Sequence, residues 1–169
     1  MDILAQQLVN GLILGSIYAL IALGYTLVYG ILGLINFAHG EVVMIGAMVT
    51  ISCLVWLLGM NPDLSPVLLI GASLLMAVPV CALLGAGIER LAYRPLRHAP
   101  RLAPLITAIG VSIILQNLAM MIWGRQYVRF PDILPHDPIH LGPVTFLPVQ
   151  AAIVLLSAVL MVGLLVLVH

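Results

Sequence analysis

Five long apolar runs constrain this chain more than any other feature of its sequence. They cover about residues 8–29, 41–59, 66–88, 102–123 and 147–168. A helix needs about 20 mostly apolar residues to cross the hydrocarbon core of a bilayer, and each run comes close to that length. The runs are continuous and lack the ten-residue alternating pattern of an outer-membrane barrel. The sequence therefore predicts an all-α, polytopic transmembrane helix bundle with about five spanning segments.

The composition points to the lipid bilayer as the main surrounding of the chain. Hydrophobic residues make up 63% of the 169 residues and charged residues 7%, too few charges to cover a water-soluble domain. Basic and acidic residues are balanced at six each, so the chain has no basic field for nucleic acid, and we expect no nucleic-acid partner. Cys53 and Cys81 lie inside apolar runs without ligand spacing, which favours buried thiols over a disulfide or a metal site.

The arginines predict the orientation of the chain in the membrane. Residues 89–101 contain four arginines, whereas residues 124–146 contain two arginines offset by two aspartates. The positive-inside rule places 89–101 in the cytoplasm and residues 61–66 and 124–146 outside. Candidates for this cytoplasmic loop are Glu89, Arg90, Arg94 and Arg97. These charges fit either a role in setting topology or a role in docking a cytoplasmic partner.

The stretch INFAHGE, residues 35–41, sets an amide, an imidazole and a carboxylate between two apolar runs. Gly30, Gly33 and Gly40 flank it, and this spacing predicts a broken or kinked region near residues 30–40. Irregular backbone is tolerated at membrane depth only where protein or a water-filled cavity covers it. If these residues form a complete turn, the N-terminus lies outside. If they dip into the membrane and return, it is cytoplasmic.

Polar residues inside the membrane are costly and by default face a bundle interior or an aqueous path. The candidates for a helix break or translocation path are therefore Asn36, His39, Gly40, Glu41, Tyr25, Gln116 and Asn117. Other interpretations remain open, because Glu41 could reach the interface and Tyr25 could be an interfacial anchor. Hydrogen bonding between helices would also explain Gln116 and Asn117. Gly11 and Gly15 form a GxxxG pair, which predicts close helix packing.

Motifs for catalysis are absent from the sequence. It contains no GxSxG, HExxH, CxxC or phosphate-cradling GxxxxGK[ST] pattern, so the familiar hydrolase, zinc and nucleotide sites are missing. A haem between helices usually needs two axial ligands, and His39 lacks a well-placed second histidine. We therefore expect no enzyme activity, catalytic residue, cofactor or metal in this chain.

Two stretches resemble a known family. Residues 10–47, NGLILGSIYALIALGYTLVYGILGLINFAHGEVVMIGA, and residues 89–117, ERLAYRPLRHAPRLAPLITAIGVSIILQN, are similar to blocks of the permease subunits of bacterial ABC importers for branched-chain amino acids. The similarity is to the first of the two permease paralogues. It implies a multi-pass protein of the bacterial inner membrane that pairs with a second permease subunit. It also implies two cytoplasmic ATPase subunits, which hydrolyse the ATP, and a periplasmic substrate-binding protein.

Permeases of that family are nearly twice as long, with further spans and a charged segment that rests on the ATPase. We therefore expect residues 1–169 to form a single transmembrane permease domain that is incomplete at its C-terminus, either a fragment or a truncated copy. A permease for urea or short-chain amides would share the same motifs and fold. A passive channel or structural membrane subunit is the alternative from a different class, and ATPase dependence would distinguish it from an importer.

Overall fold

Helices dominate the structure, a computed structural model that describes residues 2–33, 36–96, 99–100, 102–134, 139–141 and 144–168. The helices are α1 (Asp2–Leu32), α2 (His39–Met60), α3 (Pro66–Ile88), α4 (Leu102–Trp123) and α5 (Pro148–Val168). Among the described residues, five helical segments are long and apolar enough to cross a membrane. The prediction of an all-α bundle with about five spans and a break near residues 30–40 is confirmed.

A short antiparallel hairpin precedes α5. Its strands are β1 (Ile139–Leu141) and β2 (Val144–Phe146), with Ile139 opposite Phe146. The sequence predicts an irregular loop over residues 124–143, so the hairpin is an addition to that prediction. Strands of three residues are too short to produce a recognisable alternation of apolar and polar positions.

Helical structure continues beyond the end of α3. A π-helical segment, Glu89–Tyr93, and a 3-10 turn, Arg94–Leu96, follow Ile88 directly. The prediction of a loop from residue 89 is therefore wrong for residues 89–96. Arginine and glutamate are good helix formers, and no proline or glycine interrupts the chain until Pro95. The charged residues of this segment therefore indicate a membrane interface and not the end of the helix. Pro79 lies inside α3, which continues through it.

The chain divides into two compact units, one of residues 1–27 and 134–169 and one of Val28–Ile133. In the first unit, α1 and α5 line an apolar groove of about 550 Å³. The Gln6 side-chain amide donates to the Thr145 carbonyl and accepts from the Thr145 amide, both at 2.8 Å. The interpretation of residues 1–169 as one domain stays a prediction.

In the second unit, α2 packs most extensively against α3 and also contacts α4. Small side chains are prominent among its buried residues, which include Ala38, Ser73, Ala77 and Ala108. Large apolar side chains such as Leu75 and Met121 point outward and are 74% and 81% exposed. This distribution suits helices surrounded by lipid, since close backbone approach requires small residues at helix contacts.

At Gly46, α2 and α3 approach each other closely. A Cβ atom built there would lie 2.8 Å from Sγ of Cys81 on α3. At Gly11 and Gly15, by contrast, a Cβ would meet no atom within 4 Å. The GxxxG pair on α1 therefore has no close neighbour among the described residues, and close helix packing at this pair stays a prediction.

Candidate functional site

The break between α1 and α2 is set by Gly33. This residue follows Leu32 with φ of +65°, and its N–H donates to the Tyr29 carbonyl at 2.8 Å. A left-handed residue just past a helix end satisfies an orphan carbonyl, and glycine adopts it at the least cost. The helix resumes at His39, whose N–H donates to the Asn36 carbonyl at 3.1 Å. The glycine spacing thus predicted the position of the break correctly.

Asn36 connects the break to the extension of α3. Its Oδ1 accepts hydrogen bonds from the Ala38 amide at 3.0 Å and from the Tyr93 hydroxyl at 2.5 Å. The first contact is the local turn that asparagine often forms with the backbone two residues on. The second fixes this turn to the π-helical segment, where Tyr93 is 8% exposed. Single π-turns occur frequently at functional sites.

Glu41 connects the first turn of α2 to α4. Its Oε1 accepts a hydrogen bond from Ser112 Oγ at 3.0 Å and another from Gln116 Nε2 at 2.6 Å. Both donors are neutral and lie one helical turn apart, so they present one polar face to α2. The pairing of Glu41 with Gln116 joins two residues that the sequence singled out separately.

A second contact fixes the relative direction of α2 and α4. Trp123 Nε1 donates to Ser52 Oγ at 2.8 Å. Compared with the contact between Glu41 and Gln116, this contact lies further towards the C-terminal end of both helices. The two helices therefore run parallel. This agrees with the predicted topology, in which segments two and four both run outward.

The network lies level with the middle of α4. This helix has 22 residues, a length of about 33 Å at 1.5 Å per residue, and Ser112 and Gln116 fall near its centre. Because Glu41 belongs to the first turn of α2, α2 begins opposite the midpoint of a spanning helix. If α4 crosses the bilayer, the break lies at membrane depth.

The remaining candidate residues lie on α4, on the first turn of α2 and on α1. Asn117 is exposed and donates to the Ile113 carbonyl of its own helix at 2.8 Å, so it does not join the network. His39 and Gly40 are half-buried in the first turn of α2. Tyr25 is half-buried on the part of α1 that belongs to the other unit.

The predicted cytoplasmic residues lie on the extension of α3. Glu89 is half-buried, and Arg90 and Arg94 are exposed. Arg97 lies outside the described residues. The side of the membrane to which they belong stays a prediction.

Sequence reasoning missed Tyr93 and Ser112. Ser112 precedes Gln116 by one helical turn, so a search for polar pairs on one face of a membrane segment would have found it. Tyr93 lies among arginines, and only the unexpected helical extension brings it to Asn36. In the part of the chain that the structure describes, no group of three His, Cys, Asp or Glu side chains could hold a metal ion.

Comparisons with known proteins agree on one family. The sequence profile of the branched-chain amino acid transport system / permease component family matches residues 7–169. The high-affinity branched-chain amino acid transport system permease protein BraD of Pseudomonas aeruginosa is 51% identical over 130 residues, 77% of this chain and 42% of that protein. The permease proteins LivH of Salmonella typhimurium and Escherichia coli K12 are 50% and 49% identical over 128 residues, 76% of this chain and 41% of each.

The chain thus spans about two fifths of the length of these relatives, at 42% and 41%. No solved structure is significantly similar to it. The described helices and the relatives together indicate a multi-pass membrane protein. With a profile match over nearly its whole length and about half of the aligned residues identical, this chain belongs to the family of branched-chain amino acid transport permease components.

Proposed function

We propose that this chain is a permease subunit of an ATP-binding cassette importer and forms part of the path of branched-chain amino acids across the bacterial inner membrane. One observation supports this function above others: a membrane helix is interrupted, and the polar residues at the interruption bond to the middle of a spanning helix. Transporters characteristically place broken helices near the bilayer midplane, where backbone and side chains meet substrate.

The partners follow from the same proposal. The chain pairs with a second permease subunit, two cytoplasmic ATPase subunits supply the energy, and a periplasmic binding protein delivers the substrate. The exposed Arg90 and Arg94 belong, in this arrangement, to the cytoplasmic face. The chain itself carries out no chemical reaction, in keeping with the lack of a nucleotide motif in its sequence.

Reconstitution tests the proposal. The complete permease subunit, its partner permease and the ATPase subunits are placed in proteoliposomes with the binding protein inside or outside, and uptake of labelled leucine is measured with and without ATP. We expect uptake that requires both ATP and the binding protein. Uptake of leucine without the ATPase subunits would indicate a channel, and uptake of urea in preference to leucine would indicate an amide permease.

A further inference from the structure

One carboxylate oxygen of Glu41 accepts no hydrogen bond within the part of the chain that the structure describes. Both hydrogen bonds from α4, those of Ser112 and Gln116, reach Oε1. Oε2 accepts no hydrogen bond from any residue in the described part of the chain. No buried side-chain nitrogen or oxygen among those residues lacks a partner, so Oε2 lies at the surface of the described part of the chain.

The described residues also provide no opposite charge for Glu41. Within the described ranges, neither an arginine nor a histidine forms an ion pair with it. Its two partners, Ser112 and Gln116, are neutral donors. They hold the carboxylate in one orientation but do not neutralise it, and the open oxygen therefore keeps its attraction for a cation.

If α4 spans the bilayer, the level of the carboxylate makes this state expensive without a ligand or an aqueous path. The partners of Glu41 lie near the middle of α4, whose 22 residues match the thickness of the hydrocarbon core, about 30 Å. Ionisable side chains at such depth are found facing interior cavities or functional ligands. A carboxylate that is held by two donors and still presents one free oxygen is therefore arranged to bind something positive.

We infer that the free oxygen of Glu41, oriented by Ser112 and Gln116, binds the ammonium group of the amino acid in transit. This inference rests on the proposed function and adds the group that recognises the amine end of the substrate. An ammonium has three N–H donors and forms short, charge-assisted hydrogen bonds with a single carboxylate oxygen.

The chemistry of the neighbours favours an ammonium over a metal ion. Calcium requires six to eight oxygen ligands and magnesium a nearly ideal octahedron, whereas Ser112 and Gln116 turn donors towards the carboxylate. In the described ranges no cluster of metal-ligating side chains includes Glu41. A single oriented carboxylate is sufficient for an organic cation.

The substitution Glu41→Gln separates charge from structure. Glutamine keeps a carbonyl oxygen that accepts from Ser112 and Gln116, but it has no negative charge. In the reconstituted complete importer, we expect leucine uptake to fall at least about tenfold, since hydrogen bonds to charged groups are worth that much or more. ATP hydrolysis stimulated by the binding protein should change less than about twofold, because ATP hydrolysis takes place on other subunits.

Two further variants and one change of salt serve as controls for this result. Glu41→Asp keeps the charge and should retain more uptake than Glu41→Gln. Thr50→Ala removes an α2 hydroxyl that bonds only to the Gly46 carbonyl of its own helix, and it should transport like the wild type. Replacing sodium by choline should leave wild-type uptake unchanged, as expected if the bound cation is the substrate amine.

Each other outcome overturns the inference. Wild-type uptake by Glu41→Gln would mean that the charge is dispensable. Failure of Glu41→Gln to assemble with its partners would assign Glu41 a structural role. Dependence of wild-type uptake on sodium that disappears in Glu41→Gln would identify a metal cation as the ligand. If the wild-type importer moves no branched-chain amino acid, the proposed function fails first, which separates the two failures.

Discussion

At the scale of single residues, Gly46 decides how closely α2 and α3 can approach. Its missing side chain makes room for Sγ of Cys81, which lies 2.8 Å from the position that a Cβ would occupy. The same thiol is 3.9 Å from the Val42 carbonyl, so it lies against the α2 backbone. Cys81 therefore acts as a small apolar packing residue, as its sequence context indicated.

The substitution Gly46→Ala should lower the stability of the complete permease in detergent. The added methyl group collides with Cys81, and overpacking of this kind costs about 1–3 kcal/mol. Adding Cys81→Ala removes the sulfur and should restore most of the loss in thermal unfolding temperature. Gly71→Ala on α3, where a Cβ meets nothing within 4 Å, is the matched control and should not lower Tm. Wild-type Tm for Gly46→Ala alone would show that the helices separate without cost.

The sequence singled out Glu41 and Gln116 as separate candidates but did not predict that they contact each other. Glu41 and Gln116 stand out because polar groups are rare in such apolar runs, but they are 75 positions apart, and only the packing of α2 on α4 brings them together. Hydropathy identifies an isolated polar residue without identifying its partner. Asn117 has the same hydropathy signal as Gln116, yet it points away from the network to its own backbone.

At the scale of secondary-structure elements, four of the apolar runs predicted helix bounds within two residues: the structure has His39–Met60, Pro66–Ile88, Leu102–Trp123 and Pro148–Val168. The first helix starts much earlier than the run at residue 8, since α1 begins at Asp2. Gln6, Gln7 and Asn10 lower the hydropathy there without preventing backbone hydrogen bonds. Hydropathy therefore marks the part of a helix that suits lipid, while backbone geometry decides where the helix ends.

The pair Gly30 and Gly33 tests how α1 ends. Gly33 has φ of +65°, a conformation that costs a residue with a Cβ about 1–2 kcal/mol, so Gly33→Ala should lower Tm. Gly30 lies inside α1, with open space where a Cβ would be, and alanine is the better helix former. Gly30→Ala should therefore leave Tm unchanged or raise it. Equal effects of the two substitutions in thermal unfolding would contradict a specific role for Gly33 at the helix end.

At the scale of the whole molecule, the arginine distribution and the helix directions make one topological prediction. The single span between residues 61–65 and the extension of α3 places these two segments on opposite sides of the membrane. Positive-inside bias then assigns the arginine-rich side to the cytoplasm. The parallel course of α2 and α4 requires the same alternation, because α3 lies between them in the chain.

Cysteine labelling in cells tests this topology. In a background without other cysteines, Asp63→Cys and Arg94→Cys each place one thiol at an exposed position. We expect a membrane-impermeant maleimide added to spheroplasts to label residue 63, and to label residue 94 only after the membrane is permeabilised. Denatured protein, in which both thiols react, provides the control for reactivity. Labelling of both sites from outside would mean that α3 does not span the membrane. Labelling of residue 94 alone would show that the orientation is the reverse of the predicted one. The chain, including Glu41, would then run through the bilayer in the opposite direction.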